Sequence, residues 1–472
     1  MRRRGGRGGH LPGADRAGAA DLGQLATDVG SVPNQIGAVV TLEAADEADV
    51  ASLHTVIGDR LAGVPRLRQR LVTRRPGGRG PAWIDDPDFD LARHLEVVDC
   101  PGPGDRSALL ALAADRVTSA LPATAPRWRA TLVTGLDGGG VGLVVVFHHV
   151  MVDGLGGLAL LTQLVDGVGD APAGPGEPGV PVGPGEPGVR VGPADPGDPV
   201  GDPASPQRRP QGRRARPAAV LRHHVLGLAG RLRAAVTVSG HRPTVAARCS
   251  LNRPTGPRRE LAVVRAELAQ LRRFAHAHDG ATVNDVLLGA VTGALSTLLD
   301  HRGEHLDQLV VTMMVAPPAG VPAAPGRRNQ AAVAPLTLPI GGPLAARLPA
   351  IASATRARKQ RRRGASAAPL GAVLRLLAGL HLLRWWIDHQ RMVHVFVTNL
   401  RGPAEPVTIA GLPVTGLVPI SLATGNVTVA FAAMSYAGTM TVTIVTDPTH
   451  HPDRDVLVRA LETELTLAPP QA

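Results

Sequence analysis

The sequence predicts an α/β fold in two folded halves, on three observations. Strand-like runs of β-branched residues alternate with segments of helical period on both sides of residue 169. A Pro/Gly-rich stretch over 169–217 separates the two sets. Of the 472 residues 44% are apolar but only 2% are aromatic, so the core must be sizeable and aliphatic.

The elements follow in order. Residues 1–22 read as a disordered basic tail rich in Gly and Arg. The N-terminal half spans 23–168. In it Val141–Phe147 is a β-branched run bounded by Gly138-Gly-Gly140, which reads as a buried strand. His148, His149 and Asp153 follow it, and Leu155–Val165 then has helical period. The stretch 169–217 carries Gly-Pro-Gly-Glu-Pro-Gly-Val twice, at 174–180 and 183–189. Glycine does not recur at every third residue, which excludes collagen, and the apolar content is too low to offset ordering entropy. It is expected to be a disordered linker. The C-terminal half spans 218–467. Helices are expected over Leu261–Ala277 and over Val283–Leu299, the latter capped by Thr282. Strands are expected over Val393–Thr398, Val427–Ala433 and Met440–Val445. Leu370–Ile387 is Leu-rich and ends near Trp385 and Trp386. On a helix Arg375 and Arg384 fall on opposite sides, which favours a buried helix over an interfacial one.

The net charge is +11, and fifteen cations sit in three clusters. These are Arg2, Arg3, Arg4 and Arg7; Arg208, Arg209, Arg213, Arg214 and Arg216; and Arg356, Arg358, Lys359, Arg361, Arg362 and Arg363. Outside them the chain is near neutral. Lys359 is the only lysine, so much of the arginine reflects coding bias. Aromatics do not interleave with the clusters, which argues against nucleic acid. Solvated segments or attraction to anionic lipid remain. Cys100 and Cys249 cannot form a disulfide framework and lack zinc-ligand spacing; two reduced thiols and no metal are expected. The basic N-terminus lacks an apolar stretch after it, and no run of 18 uncharged apolar residues occurs. A cytoplasmic protein, soluble or attached to a membrane surface, is the expectation.

The strongest local signal is His148-His149-Val-Met-Val-Asp153-Gly154 at a strand end. Histidine gains and loses a proton near neutral pH, so one at a cleft could take the proton of an attacking hydroxyl. Asp153 could order the loop, and Gly154 could let the backbone turn without a clashing Cβ. The structural alternative is a pair of core-edge histidines beside a helix-capping aspartate. The pair His223-His224 lacks a following Asp-Gly and receives no function.

His-His-x-x-x-Asp-Gly resembles the motif of CoA-dependent acyltransferases built like chloramphenicol acetyltransferase. The whole chain from about 25 to 465, the linker excepted, more narrowly resembles the bacterial wax ester synthase/diacylglycerol acyltransferase family. Further blocks carry this resemblance in order: Pro81-Ala-Trp83 with Asp88-Phe-Asp90 and His94; Pro126-Arg-Trp128; Leu251 to Arg258; Gly280-Ala-Thr-Val-Asn284-Asp285; Thr398-Asn399-Leu-Arg-Gly402-Pro403; Ser435-Tyr436; and Asp447 to Asp453.

The resemblance implies two chloramphenicol-acetyltransferase-like domains, each a mixed β-sheet with flanking helices, and a substrate tunnel at their interface. It implies transfer of a long-chain acyl group from acyl-CoA, the co-substrate, to diacylglycerol or a long-chain alcohol, with no cofactor. His149 would be the general base, with His148, Asp153 and Gly154 completing its motif. Asn284 would donate to the oxyanion or shape its site, or else cap a helix. Asn399 and Gly402 would build the interface between halves. Such an enzyme would sit at the periphery of the inner membrane or of lipid droplets. The chain departs from the family at Leu22–Thr27, at Arg127 in place of leucine, at Ala316-Pro-Pro-Ala-Gly320, at Arg328, and at Arg401 in place of proline. Two alternatives stay open: a condensation-type enzyme using a carrier-protein thioester, and a catalytically weakened lipid-surface paralogue.

Overall fold

One strand buried on both faces organises the N-terminal half. The computed structural model describes residues 15–72, 81–167, 245–278, 280–315, 332–361, 377, 380 and 382–467. The linker, both repeats, His223-His224, the first two arginine clusters, Ala316–Gly320, Arg328 and Arg375 lie outside the described residues. The chain runs through β1 (Asp15–Arg16), α1 (Ala19–Ala26), β2 (Gln35–Ala44), α2 (Glu47–Gly63), β3 (Gln69–Val72), β4 (Ala82–Asp85), β5 (Leu95–Asp99), α3 (Arg106–Thr118), β6 (Trp128–Thr134), β7 (Gly140–His148) and α4 (Gly154–Thr162). Residues 15–22, expected as tail, are therefore structured. The Asp21 carboxylate accepts from the Gly18 N–H at 3.0 Å at the start of α1 and from the Trp83 indole at 3.3 Å, so local and tertiary contacts tie this segment down.

β7 is buried nearly throughout. Val141, Leu143, Val145 and Phe147 face one apolar cluster, and Val144 and Val146 face another. Successive side chains of a strand point to opposite faces, so a strand covered on both sides must be apolar at every position.

After the linker come β8 (Glu260–Glu267), α5 (Leu268–His276), α6 (Val283–His301), β9 (Gln308–Val315), β10 (Ala332–Pro339), α7 (Leu344–Arg361), α8 (Leu383–His389), β11 (Phe396–Arg401), β12 (Thr408–Ile409), β13 (Leu412–Ile420), β14 (Val429–Tyr436), β15 (Thr439–Thr446) and α9 (Arg454–Leu465). The expected helix over Leu261–Ala277 is corrected: its first part is β8. Its Ala, Leu and Glu favour a helix locally, but pairing with all of β15 overrides that preference. Most of the helix expected over Leu370–Ile387 lies outside the described residues; Leu377 is helical, and the seven-residue α8 covers the end of the span.

α6 is long and apolar enough by composition to cross a membrane. It is instead the central helix of this half, with thirteen of its nineteen residues buried. Gly293 lets it approach α7 and α9, because a Cβ there would collide with the Arg347–Glu464 ion pair that joins them.

Two sheets dominate. One has the order β11-β14-β15-β8, with β11 parallel to β14 and the rest antiparallel. The other has the order β12-β13-β2-β7-β6-β5. Its β13 comes from the far side of the linker and pairs antiparallel with β2. The linker thus does not divide the sheets along the expected boundary. Val414 and Leu417 join one apolar cluster of the N-terminal sheet, and Val418 and Ile420 join the other. Segments on both sides of 171–242 form one compact unit.

Candidate active site

The site is built at the end of β7. Gln35 of β2 stands opposite His148 in the antiparallel register, and the His149 N–H donates to the Asn34 carbonyl at 2.8 Å. Gln35 is fully buried. Its amide donates to the Val117 and Ser119 carbonyls, and its oxygen accepts from the Leu121 N–H. A buried amide with these partners is a rigid support. The Met151 N–H donates back to the His148 carbonyl at 2.9 Å, which turns the chain sharply toward α4.

Asp153 is buried and caps α4, accepting from the Gly156 N–H at 2.8 Å. That satisfies one of the donors a helix start leaves open, and the carboxylate complements the helix dipole. Asp153 thus takes the helix-capping place that the structural alternative gave it. Gly154 is the first residue of α4 and is not among the positive-φ glycines, so the turn does not use the freedom expected there.

The two histidines differ. His148 is buried, and its Nδ1 accepts from the Val150 N–H at 3.1 Å. Its Nε2 must then carry the proton, and it donates to Asp28 Oδ2 at 2.8 Å. Asp28 Oδ1 also accepts from the Asn34 N–H at 2.8 Å, and Arg127 stands 3.8 Å away. Burial would raise the Asp28 pKa; the bonds from His148 and Asn34 outweigh it and hold the carboxyl below its ordinary value. His148 is thereby a fixed part of the scaffold. His149 is half-buried. Burial pushes its pKa below the ordinary histidine value, against the opposing attraction of Asp153. It is a neutral imidazole at physiological pH, the form that accepts a proton.

Asn284 lies in the other half. Thr282 caps α6 in a capping box with Asp285, as expected for Thr282, so Asn284 is the second helical residue and not the cap. Asp285 is buried and also accepts from the Thr355 hydroxyl at 2.7 Å. Asn284 Oδ1 accepts from Asn399 Nδ2 at 3.3 Å, which brings two of the sequence-selected residues together. Gly402 follows β11, and its N–H donates to the Ser435 carbonyl at 2.9 Å. A Cβ there would stand 2.5 Å from that oxygen, so glycine is required by the close approach.

The remaining blocks are structural. His94 stacks between Phe89 and Trp128, with ring centroids 5.4 and 4.7 Å away. Trp128 donates to the Leu67 carbonyl, and Arg66 lies over the Trp83 ring. Tyr436 donates to the Val414 carbonyl and accepts from the Val407 N–H, pinning the crossover segment. Burial raises the pKa of both cysteines, to about 11 for Cys249, so neither offers a thiolate nucleophile. Cys249 is buried, whereas Cys100 is only partly so.

Beyond α4, residues of both halves line a small, partly open apolar hollow. Leu158 and Leu161 of α4 line it with Val40, and Pro403, Val407 and Leu417 close it from the crossover side. It is walled by the helix that the motif loop begins. Asp28, Asn34 and Gln35 were not legible as site residues, because only the β2–β7 register brings them to the motif.

Two sheets, one of them completed by a strand from beyond the linker, with a His-His-x-x-x-Asp-Gly loop leaving a central strand, define the chloramphenicol-acetyltransferase-like class of fold. Within that class, the wax ester synthase/diacylglycerol acyltransferase catalytic domain matches residues 18–287, and the C-terminal domain of the same family matches 327–468. The chain belongs to this family of acyltransferases. It is 28% identical over 463 residues to a Mycobacterium tuberculosis protein described as a probable diacylglycerol O-acyltransferase, covering 95% of this chain and 91% of that one. Its fold is similar to that of the wax ester synthase/diacylglycerol acyltransferase from Marinobacter aquaeolei VT8, with a TM-score of 0.67 at 21% identity over 96% and 98% of the two chains. It is also similar to the starter condensation domain of rhizomide synthetase solved with C8-CoA, with a TM-score of 0.56 at 13% identity over 96% and 95%.

Proposed function

We propose that the protein transfers a long-chain acyl group from acyl-CoA to diacylglycerol or to a long-chain alcohol, with His149 as general base. The observation that carries this reading is the contrast within the histidine pair. His148 is locked by Asp28 and Val150, while the neighbouring His149 is held neutral by burial. His149 takes the proton of the alcohol as its oxygen attacks the thioester carbonyl. The new C–O bond forms and the C–S bond breaks, and the thiolate leaves with the proton returned by the imidazolium. A positioned donor to the oxyanion is worth about 2.7–4 kcal/mol; Asn284, oriented by Asn399, is the residue assigned to that region. No cofactor takes part in this scheme. Substrates of this kind partition into lipid, so the enzyme is read as working at a lipid surface.

The test is release of free CoA from a long-chain acyl-CoA with diacylglycerol or hexadecanol, followed by product analysis. CoA release by His149→Ala at the parent rate would overturn the assignment of the base. A second reading keeps the fold and the motif but takes a carrier-protein thioester as donor. Turnover with acyl-carrier protein and none with acyl-CoA would select it.

A further inference from the structure

Seven large hydrophobic residues are exposed among the described residues, and five of them gather in one place. Leu380, Leu382, Trp385 and Met392 fall within thirteen positions around α8. A fifth, Val245, joins them through the fold: the Ala246 N–H donates to the Arg391 carbonyl at 2.9 Å, and the Arg391 guanidinium donates to the Ala246 carbonyl at 2.8 Å. That places Val245 beside Met392. Leu382, Trp385 and His389 share one face of α8 by helical spacing, and the Trp385 and His389 rings stack at 5.0 Å. Trp385 is 62% exposed, which for so large an apolar side chain needs a reason.

The exposed charged side chains of this stretch are basic. Arg384, His389 and Arg391 are exposed. The one acid of the stretch, Asp388, is largely covered and pairs with Arg384 at 2.8 Å. In the sequence the six-cation cluster of 356–363 leads into it. An apolar centre with Trp and a rim of arginine matches the boundary of an anionic bilayer, where indole sits at headgroup depth and each basic residue adds attraction.

We propose that the face formed by Val245, Leu380, Leu382, Trp385 and Met392, rimmed by Arg384 and Arg391, docks the enzyme on an anionic phospholipid surface. The inference rests on the lipid-acyltransferase reading for its purpose, and on exposure and charge for its position. Its location gives it a use. Arg384 Nη1 donates to the Val29 carbonyl at 2.8 Å, and the residue before Val29 is Asp28, which holds His148. The docking face is thus joined to the loop that supports the catalytic motif.

The experiment is co-sedimentation of the full chain with vesicles of equimolar phosphatidylglycerol and phosphatidylcholine. The parent is expected to bind, and Leu382→Ser/Trp385→Ser is expected to bind at least about tenfold more weakly, since affinity scales with the apolar area inserted. Trp385→Phe, which keeps the apolar contact, should still bind but should lose most of the fluorescence quenching produced by brominated lipid. Absence of parent binding, or equal sedimentation of parent and double variant, would overturn the proposal. So would a double variant that changes only the oligomeric state, because the face would then join two copies. The double variant should release CoA from a short, water-soluble acyl-CoA and alcohol at the parent rate. A parent that binds vesicles but transfers no acyl group would leave this surface standing while the catalytic reading fails.

Discussion

Asp28 Oδ2 lies 2.8 Å from His148 Nε2, across 120 residues of chain. The bond fixes which ring nitrogen of His148 carries a proton and anchors the turn that presents His149. Asp28→Asn should retain the fold but loosen that turn. A misplacement of about 1 Å is enough to cost on the order of 100-fold, so kcat is expected to fall about 10- to 100-fold while KM for acyl-CoA changes little. Arg127→Leu should leave kcat near the parent value, because Arg127 is the weakest of the influences holding the Asp28 pKa down. CoA-release kinetics on both variants check this. A larger loss in Arg127→Leu than in Asp28→Asn would contradict the order.

His149→Ala removes the proposed base itself. General-base catalysis contributes about 100- to 10,000-fold, and kcat should fall by that factor with the melting transition retained. Unfolding of the variant before assay would show up in circular dichroism and would direct the test to His149→Gln.

The pH dependence of the rate follows from the direction of the His149 shift. Burial lowers its pKa, so the imidazole stays neutral as the pH falls through the ordinary histidine value near 6.5. The acid limb of kcat/KM should therefore lie below 6.5. A limb at or above 6.5 in the pH–rate profile would rule out His149 as the titrating base.

Stability should fall in acid for a separate reason. His451 is buried, and its Nδ1 accepts from Arg302 while its Nε2 meets Thr428 at 2.8 Å. Burial first, and Arg302 second, push its pKa to about 4. Between about 6.5 and 4 the unfolded chain takes up a proton that the native state refuses. This site alone then lowers stability by about 1.4 kcal/mol per pH unit across that window and has little effect above it. Urea midpoints measured from pH 7 down to 4 read the slope, and His451→Gln should flatten it.

The Arg347–Glu464 pair packs on Gly293 of α6, with Arg347 also bonded to the Gly289 carbonyl and to Thr292. Glu464→Ala leaves the Arg347 guanidinium buried without its acid. Loss of one member of a buried pair costs about 3–5 kcal/mol; with Glu464 20% exposed, the lower end is expected. Gly293→Ala should destabilise by about 1–3 kcal/mol through overpacking against the same pair. Both are read from denaturant midpoints at constant slope.

The parts of the fold that were legible are those set by local pattern. β7 shows a continuous β-branched run, α6 an apolar helix begun by Thr282, and the His148–Gly154 motif stands at a strand end. What was not legible depends on partners distant in sequence. β8 has the composition of a helix and is a strand because β15 pairs with it. Asp28 looks like any surface aspartate until the β2–β7 register sets it against His148. Asn284 and Asn399 were each visible as motif residues, but their mutual hydrogen bond was not, since 115 residues separate them. Gly154 was read as a turn residue when it is the first turn of a helix, because the cap in front of it already redirects the chain.

The crossover strand β13 sets an order of events during synthesis. β2 can pair with β7 once residue 148 has left the ribosome, but its other edge is completed only by Leu412–Ile420. At about 5–20 residues per second that wait is on the order of tens of seconds. Throughout it the nascent N-terminal half carries an open, Val-rich strand edge, the kind of edge that recruits other chains.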